Sequence, residues 1–143
     1  MKAGMYCDEN WILFGDYKME SGYCLTEKLL SCKDLPSAIL VANNEMVVGS
    51  LNKIHEEGLR IPHDISIISF DDFPWSISLN PPLTAIAQPT QEIGAKAANL
   101  LMDRLVDNTK PPQTLILESN LVVRESCGQG LVKINQKTKR RKI

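Results

Sequence analysis

The sequence predicts an α/β protein built around an open parallel sheet. Two apolar runs, at residues 38–42 and 65–70, flank a stretch with helical periodicity at 45–57. The first run stops at Asn43 and the second at Asp71. Short apolar runs on either side of an amphipathic helix are typical of a strand–helix–strand unit with parallel strands. In open sheets of this kind, ligands bind beyond the carboxyl ends of the strands.

The residues before this unit predict another strand and helix. Residues 11–14 form the apolar run WILF, which ends at Gly15, and residues 22–32 carry small or apolar side chains three and four positions apart. Residues 1–72 are therefore predicted as β-α-β-α-β, with three parallel strands. The carboxyl ends of these strands would bring Asp16 and Tyr17 to the same edge of the sheet as the polar residues that follow the other two strands.

The second half of the chain predicts one strand, one long helix and two short strands. Residues 83–87 form a strand that ends before a proline. Thr90 is placed as the N-cap of an amphipathic helix that runs to about Val106, because acidic and amide residues follow it in the first turn. Residues 115–117 and 121–123 are two apolar triplets and predict two short strands.

Length and composition fit one domain of 143 residues with 43% hydrophobic side chains. No apolar stretch approaches the ~20 residues that span a bilayer, and the N-terminus lacks the apolar region of a secretory signal, so we expect a cytoplasmic protein without membrane contact. The four cysteines are scattered, with no C-x-x-C pair and no histidine at metal-site spacing. We therefore expect reduced thiols, no metal and no cofactor.

The net charge of −1 hides a basic C-terminus, since residues 131–143 hold six lysines or arginines and no acid. Such a segment is either an electrostatic arm for an anionic partner or a disordered, solvated terminus, and we expect the second.

The polar side chains at the predicted rim suit recognition of hydroxyl groups. Asn43, Asp71 and Gln88 each follow a predicted strand, and amides and carboxylates bind sugar or nucleoside hydroxyls. Tyr17 would add a ring for stacking. Asp71 with Asp72 also fits the acid pair of a phosphoacceptor receiver-like domain, although that function needs a lysine at a later strand end, where this sequence has Gln88.

Each candidate residue has a structural alternative. Asn43 or its neighbour Asn44 could cap the following helix, and Tyr17 could cover the edge of the core. Asp72 could be the cap and Asp71 the ligand group, or the reverse. Trp75, in the loop after this acid pair, could be a ligand contact, a packing residue or an interface residue.

Several longer motifs resemble the lactose-repressor (LacI/GalR) family. Residues 36–49 (PSAILVANNEMVVG) are similar to its "PtAi-aaND-mA-G" motif, and residues 58–72 (GLRIPHDISIISFDD) to "GlrVPeDvsviGfDd". Residues 81–89 (PPLTAIAQP) resemble "pPLTTv-qP", and residues 121–126 (LVVRES) resemble the closing "LvvReS". GDY followed by ESGY, at residues 15–23, resembles "GDf…esGy". Asn44 and Ser69 replace an Asp and a Gly of these motifs.

The resemblance implies the periplasmic-binding-protein-like effector domain of a bacterial transcriptional repressor, not an enzyme. It assigns ring stacking to Tyr17, hydroxyl binding to Asn43 and Asp71, and a position near the ligand to Gln88. A periplasmic sugar-binding protein of the same fold is the alternative. The implied partners are a sugar-type or nucleoside-type effector and a second copy of the chain, with operator DNA bound only through a preceding helix-turn-helix.

The resemblance also divides the chain and leaves the fold incomplete. Residues 1–89 correspond to the C-terminal effector-binding subdomain of an open three-layer α/β/α sheet, and residues 90–118 to elements of an N-terminal subdomain that is otherwise largely missing. Residues 119–127 correspond to a returning strand and residues 128–143 to the basic, disordered tail. We therefore expect the apolar face of the 90–106 helix to lack its usual partners and to be covered in a homodimer or larger assembly.

Overall fold

A computed structural model describes residues 9–129 and confirms the α/β class. Among these residues it contains three α-helices, four strands and three short 3-10 helices. In chain order the helices and strands are α1 Met19–Leu30, β1 Ala38–Val41, α2 Asn44–Glu56, β2 Ser66–Phe70, β3 Thr84–Ala87, α3 Thr90–Val106 and β4 Asn120–Val122. The 3-10 helices are Glu9–Trp11, Pro74–Ser78 and Glu125–Cys127. The basic segment 131–143 lies outside the described residues.

The four strands form one mixed sheet in the order β1-β2-β3-β4. The first three strands are parallel, with Ile39 opposite Ile67 and Ile68 opposite Thr84. β4 is antiparallel to β3. Because β1, β2 and β3 are parallel neighbours, their carboxyl ends lie along one edge of the sheet, and we call this edge the rim.

The core lies between α2 and one face of the sheet. Val47 and Ile54 on α2 are fully buried, as is Ile67 on β2, and Leu83 just before β3 is 1% exposed. Burying each large apolar side chain is worth roughly 1.5–3 kcal/mol, so these contacts fix α2 against the strands. β1 alternates exposed and buried residues, and its outward-facing Leu40 is 63% exposed.

Helices α1 and α2 cross at very short range because glycine stands at the crossing on both helices. A methyl group on Gly22 would lie 2.1 Å from the Met46 carbonyl oxygen, and one on Gly49 would lie 1.9 Å from that of Met19. Lys53 adds a polar contact to this pair, with its Nζ 3.1 Å from a carboxylate oxygen of Glu27 on α1. Only glycine fits this backbone-to-backbone approach.

Helix α3 stands apart from this core. None of its residues is buried, and Leu101 and Leu105 are 60% and 71% exposed. The apolar face predicted from sequence is therefore present but does not pack on the chain's own sheet. In the part of the chain that the structure describes, no helix has the length and hydropathy needed to cross a membrane.

Three sequence predictions are wrong in detail. Residues 11–14 and 115–117 are not strands, since neither segment pairs with a neighbour within residues 9–129. Residues 11–14 keep the alternation of a strand, because Trp11 and Leu13 pack on the core while Phe14 is 90% exposed. Thr90 is the first residue of α3, not its N-cap, and the preceding Pro89 makes no side-chain capping bond.

Candidate ligand-binding rim

Asp71, the first residue after β2, is held in an unusual backbone conformation at the rim. Its φ is +74°, in the left-handed region that residues other than glycine rarely adopt. The Asp71 backbone N–H donates to the carbonyl oxygen of Ile86 at 3.0 Å, and the Asp71 carbonyl oxygen accepts a hydrogen bond from the Ser69 hydroxyl at 3.1 Å. Such a conformation costs on the order of 1–3 kcal/mol, and it often marks functional sites.

The Asp71 carboxylate is joined to Gln88, the first residue after β3. The Gln88 side-chain amide donates to Asp71 Oδ1 at 2.6 Å. An ionised carboxylate offers about four lone-pair sites, so this bond leaves most of the acceptor capacity of Asp71 unused. The structure thus brings together two of the rim residues predicted from sequence and leaves the carboxylate able to accept further hydrogen bonds.

Asn43, two residues after β1, is the N-cap of α2. Its side-chain oxygen accepts a hydrogen bond from the Met46 N–H at 2.8 Å, and its amide nitrogen donates to the Asn44 side-chain oxygen at 3.2 Å. The capping alternative is therefore correct for Asn43. A side-chain amide has two N–H bonds, so one remains for a ligand without loss of the cap.

Tyr17 lies in a turn before α1, and the preceding residues 11–14 do not form the predicted strand. Its φ is +67° and its side chain is 68% exposed, so it does not cover the core. The turn is stabilised by the Lys18 N–H, which donates to Asp16 Oδ1 at 3.1 Å. Gly15 lies against Met46 in the first turn of α2, and this contact places the turn beside the Asn43 end of that helix.

Asp72 has a different role from its neighbour. Its two carboxylate oxygens accept hydrogen bonds from the two terminal nitrogens of Arg124, both at 2.8 Å. This ion pair holds the pKa of Asp72 below its ordinary value of 3.8. Because Asp72 is bound to Arg124, Asp71 is the acid that remains open, and the two do not form a free acid pair. Within residues 9–129 no group of acids, histidines or cysteines is arranged to hold a metal ion.

Trp75 is a packing residue in the structure. It lies in the 3-10 helix Pro74–Ser78 and packs against the hydrophobic core. Its ring stacks on Phe73, with the ring centroids 5.9 Å apart.

Arg124, which binds Asp72, is not among the functional residues predicted from sequence. Its only signal was its place in the closing motif at residues 121–126, because a partner 52 positions away cannot be inferred from spacing. Beyond Asp72, the guanidinium donates to the Leu83 carbonyl oxygen at 2.6 Å, and the Arg124 N–H donates to Thr84 Oγ1 at 2.8 Å.

The ends of three parallel strands in this mixed sheet carry an open carboxylate and two side-chain amides, and this architecture defines the class as an open α/β domain. Residues 2–127 match the periplasmic binding protein-like domain family, and the chain belongs to that family. Together with the relatives below, this match confirms the resemblance to effector domains of LacI/GalR-type regulators.

Three proteins that are similar to this chain are transcriptional regulators. The HTH-type transcriptional repressor PurR of Edwardsiella ictaluri (strain 93-146) is 37% identical over 122 residues, which cover 85% of this chain and 36% of that protein. The structure of the transcriptional regulator CelR–cellobiose complex is 35% identical, with a TM-score of 0.80 over 87% of this chain and 38% of that one. A LacI family regulator from Enterococcus faecalis V583 with bound ribose is 31% identical, with a TM-score of 0.70 over 78% and 41%. This chain therefore spans little more than a third of the PurR relative's length.

Proposed function

We propose that this chain is the effector-binding portion of a bacterial transcriptional repressor that responds to a sugar or a nucleoside. Asp71, Asn43 and Gln88 contact ligand hydroxyls, and Tyr17 stacks on a ligand ring. The observation that carries the proposal is the open carboxylate of Asp71, fixed by a left-handed backbone at a strand end and bound by Gln88 at 2.6 Å.

The chemistry of the rim favours a neutral ligand that is rich in hydroxyl groups. Arg124 is bound to Asp72, and Lys18 lies 3.7 Å from Asp16, so each of these two cations already faces a carboxylate. Each hydrogen bond to a charged acceptor such as Asp71 contributes roughly 1.5–3 kcal/mol, and an apolar ligand would leave that acceptor unpaired. Relatives solved with cellobiose and with ribose agree with this ligand class.

The proposal extends to the partners and the place of action. Regulation of transcription implies binding to operator DNA. We assign this binding to a helix-turn-helix outside this chain, as the name of the HTH-type relative indicates. Such regulation also implies action in the cytoplasm and no catalysis. Because α3 has no buried residue, we propose that its apolar stripe is covered in a homodimer or larger assembly. The stripe consists of Ile93, Ala97, Leu100, Leu101 and Leu105.

Calorimetric titration tests the ligand assignment. The protein produced from the full reading frame is titrated with ribose, cellobiose and adenosine, and the tightest ligand is then tested against Asp71→Asn. Asparagine tolerates the left-handed backbone, so the substitution removes mainly the charge. We expect binding to weaken by about 1.5–3 kcal/mol, which is roughly tenfold to more than a hundredfold.

The matched control is Asp64→Asn, the same chemical change at the amino end of β2. Asp64 pairs with Arg60 at 2.8 Å in the loop before the strand, at the sheet edge opposite the rim. We expect the Asp64→Asn variant to bind this ligand with the same affinity as the wild type. Equal affinities for Asp71→Asn and the wild type would refute the assignment, and so would the absence of binding to neutral sugars and nucleosides.

A further inference from the structure

We infer that Arg124 is the positioning residue of the rim: by clamping the connection between β2 and β3, it holds Asp71 in its ligand-binding conformation. The inference rests on the proposed function of Asp71, and it adds a residue that does not itself touch the ligand.

Arg124 and its two partners, Asp72 and Leu83, form what we call the clamp. It joins the beginning and the end of the connection between β2 and β3. Arg124 Nη1 donates to Asp72 Oδ1 at 2.8 Å and to the Leu83 carbonyl oxygen at 2.6 Å, while Nη2 donates to Asp72 Oδ2 at 2.8 Å. Asp72 follows Asp71 directly, and Leu83 is the residue before β3. The planar guanidinium is suited to this task, because it forms a two-point contact with the carboxylate and retains a donor for the carbonyl group.

The clamp is itself anchored to the sheet. The Arg124 N–H bonds to the Thr84 hydroxyl, and the Ser126 hydroxyl accepts from the Thr84 N–H at 2.8 Å and donates to the Ile67 carbonyl oxygen at 2.6 Å. Ser126 is buried, and the Arg124 and Asp72 side chains are only 17% and 20% exposed. The ion pair is therefore poorly screened by water, and its arginine is held in place by bonds to Leu83 and Thr84.

Asp71 needs such a restraint because its backbone is strained. Unrestrained, a residue at φ +74° would relax towards negative φ and turn its carboxylate away from Gln88. Four contacts oppose this relaxation. The Asp71 N–H donates to the Ile86 carbonyl oxygen, the Asp71 carbonyl oxygen accepts from the Ser69 hydroxyl, the Asp71 carboxylate accepts from Gln88, and Arg124 binds the next residue, Asp72. Of these, only the clamp is an ion pair.

Amide hydrogen exchange tests the inference without any ligand. In Arg124→Met, we expect the Asp71 amide to exchange at least tenfold faster relative to the core amide of Ile67 in the same protein. Exchange reports local opening separately from global unfolding, so the ratio distinguishes a positioning role from general stabilisation. Asp72→Asn is expected to give the same ratio, and the double variant no further increase.

Ile54→Val is the matched control, because Ile54 is fully buried near the end of α2 away from the rim. This substitution lowers global stability and should leave the ratio of the two exchange rates unchanged. If Arg124→Met does not fold, Arg124→Lys keeps the charge and loses the two-point contact, with the same expected change in the ratio.

An unchanged ratio in the folded Arg124 and Asp72 variants would overturn the inference. Uniform acceleration of all amides would overturn it as well, since it would make Arg124 a stabilising residue only. Failure of the sugar and nucleoside titrations would refute the proposed function but would leave the exchange result interpretable, so the two failures are distinguishable.

Discussion

The crossing of α1 and α2 gives a strong test of the packing, through the substitution Gly49→Ala. The added methyl group would lie 1.9 Å from the Met19 carbonyl oxygen and 2.7 Å from the Tyr23 amide nitrogen. Both atoms belong to the backbone of α1, so no side-chain rotation removes the clash. The helices must separate by about 1 Å or more to restore contact distances, and close-packed interiors resist such a shift.

The magnitude follows from two opposing effects. Overpacking a well-filled site costs about 1–3 kcal/mol, and a clash with backbone atoms falls at the upper end of that range. Alanine regains up to about 1 kcal/mol because it is a better helix former than glycine. We therefore expect a net loss of about 2 kcal/mol in the free energy of unfolding for Gly49→Ala, and a similar loss for Gly22→Ala.

Urea denaturation followed by circular dichroism measures this loss. The control is Gly94→Ala on α3, where an added methyl group meets no atom within 4 Å. It should leave the free energy of unfolding unchanged or raise it by up to about 1 kcal/mol. A Gly49→Ala variant as stable as the wild type, with an equal dependence on urea, would show that the helices do not cross at this distance.

Four further outcomes are expected. The ion pair with Arg124 lowers the pKa of Asp72, so this acid contributes stability above about pH 4 that is lost as the pH falls further. In Asp72→Asn, the free energy of unfolding should therefore fall less steeply in acid than in the wild type. Tyr17→Gly should raise the free energy of unfolding by about 1 kcal/mol, since it relieves the backbone strain at φ +67°, yet weaken effector binding. Sedimentation equilibrium at micromolar concentration should detect a dimer or larger assembly that Leu101→Glu weakens. The chain alone should bind no operator specifically, and any DNA affinity from residues 137–142 should fall steeply with salt.

Each of these outcomes has a contrary result. Parallel pH curves for the wild type and Asp72→Asn would exclude a stabilising ion pair. A Tyr17→Gly protein with unchanged affinity would remove the ring from the binding site. A 16.0 kDa monomer unaffected by Leu101→Glu would leave α3 uncovered in solution. A specific DNA footprint from this chain alone would require a recognition element within it.

Local sequence patterns were sufficient where secondary structure depends on near neighbours. The periodicity of α2 and α3 and the apolar runs of β1, β2 and β3 predicted these elements correctly. Segments 11–14 and 115–117 carry equally apolar runs but are not strands. A strand is completed by hydrogen bonds to a neighbouring strand, and apolar composition alone does not supply that neighbour.

The sequence by itself determined the family, the order of the elements from α1 to α3 and the polar residues after each parallel strand, because these depend on short motifs and on periodicity. Tertiary structure alone decided what those residues do. It bound Asp72 to an arginine 52 positions away and left Asp71 open beside Gln88, whereas the cap that Asn43 makes is a local contact with Met46. The physical reason is that a carboxylate's role depends on which donors the fold brings within hydrogen-bonding distance, and donors so far apart in sequence are brought together only by the packing of the sheet.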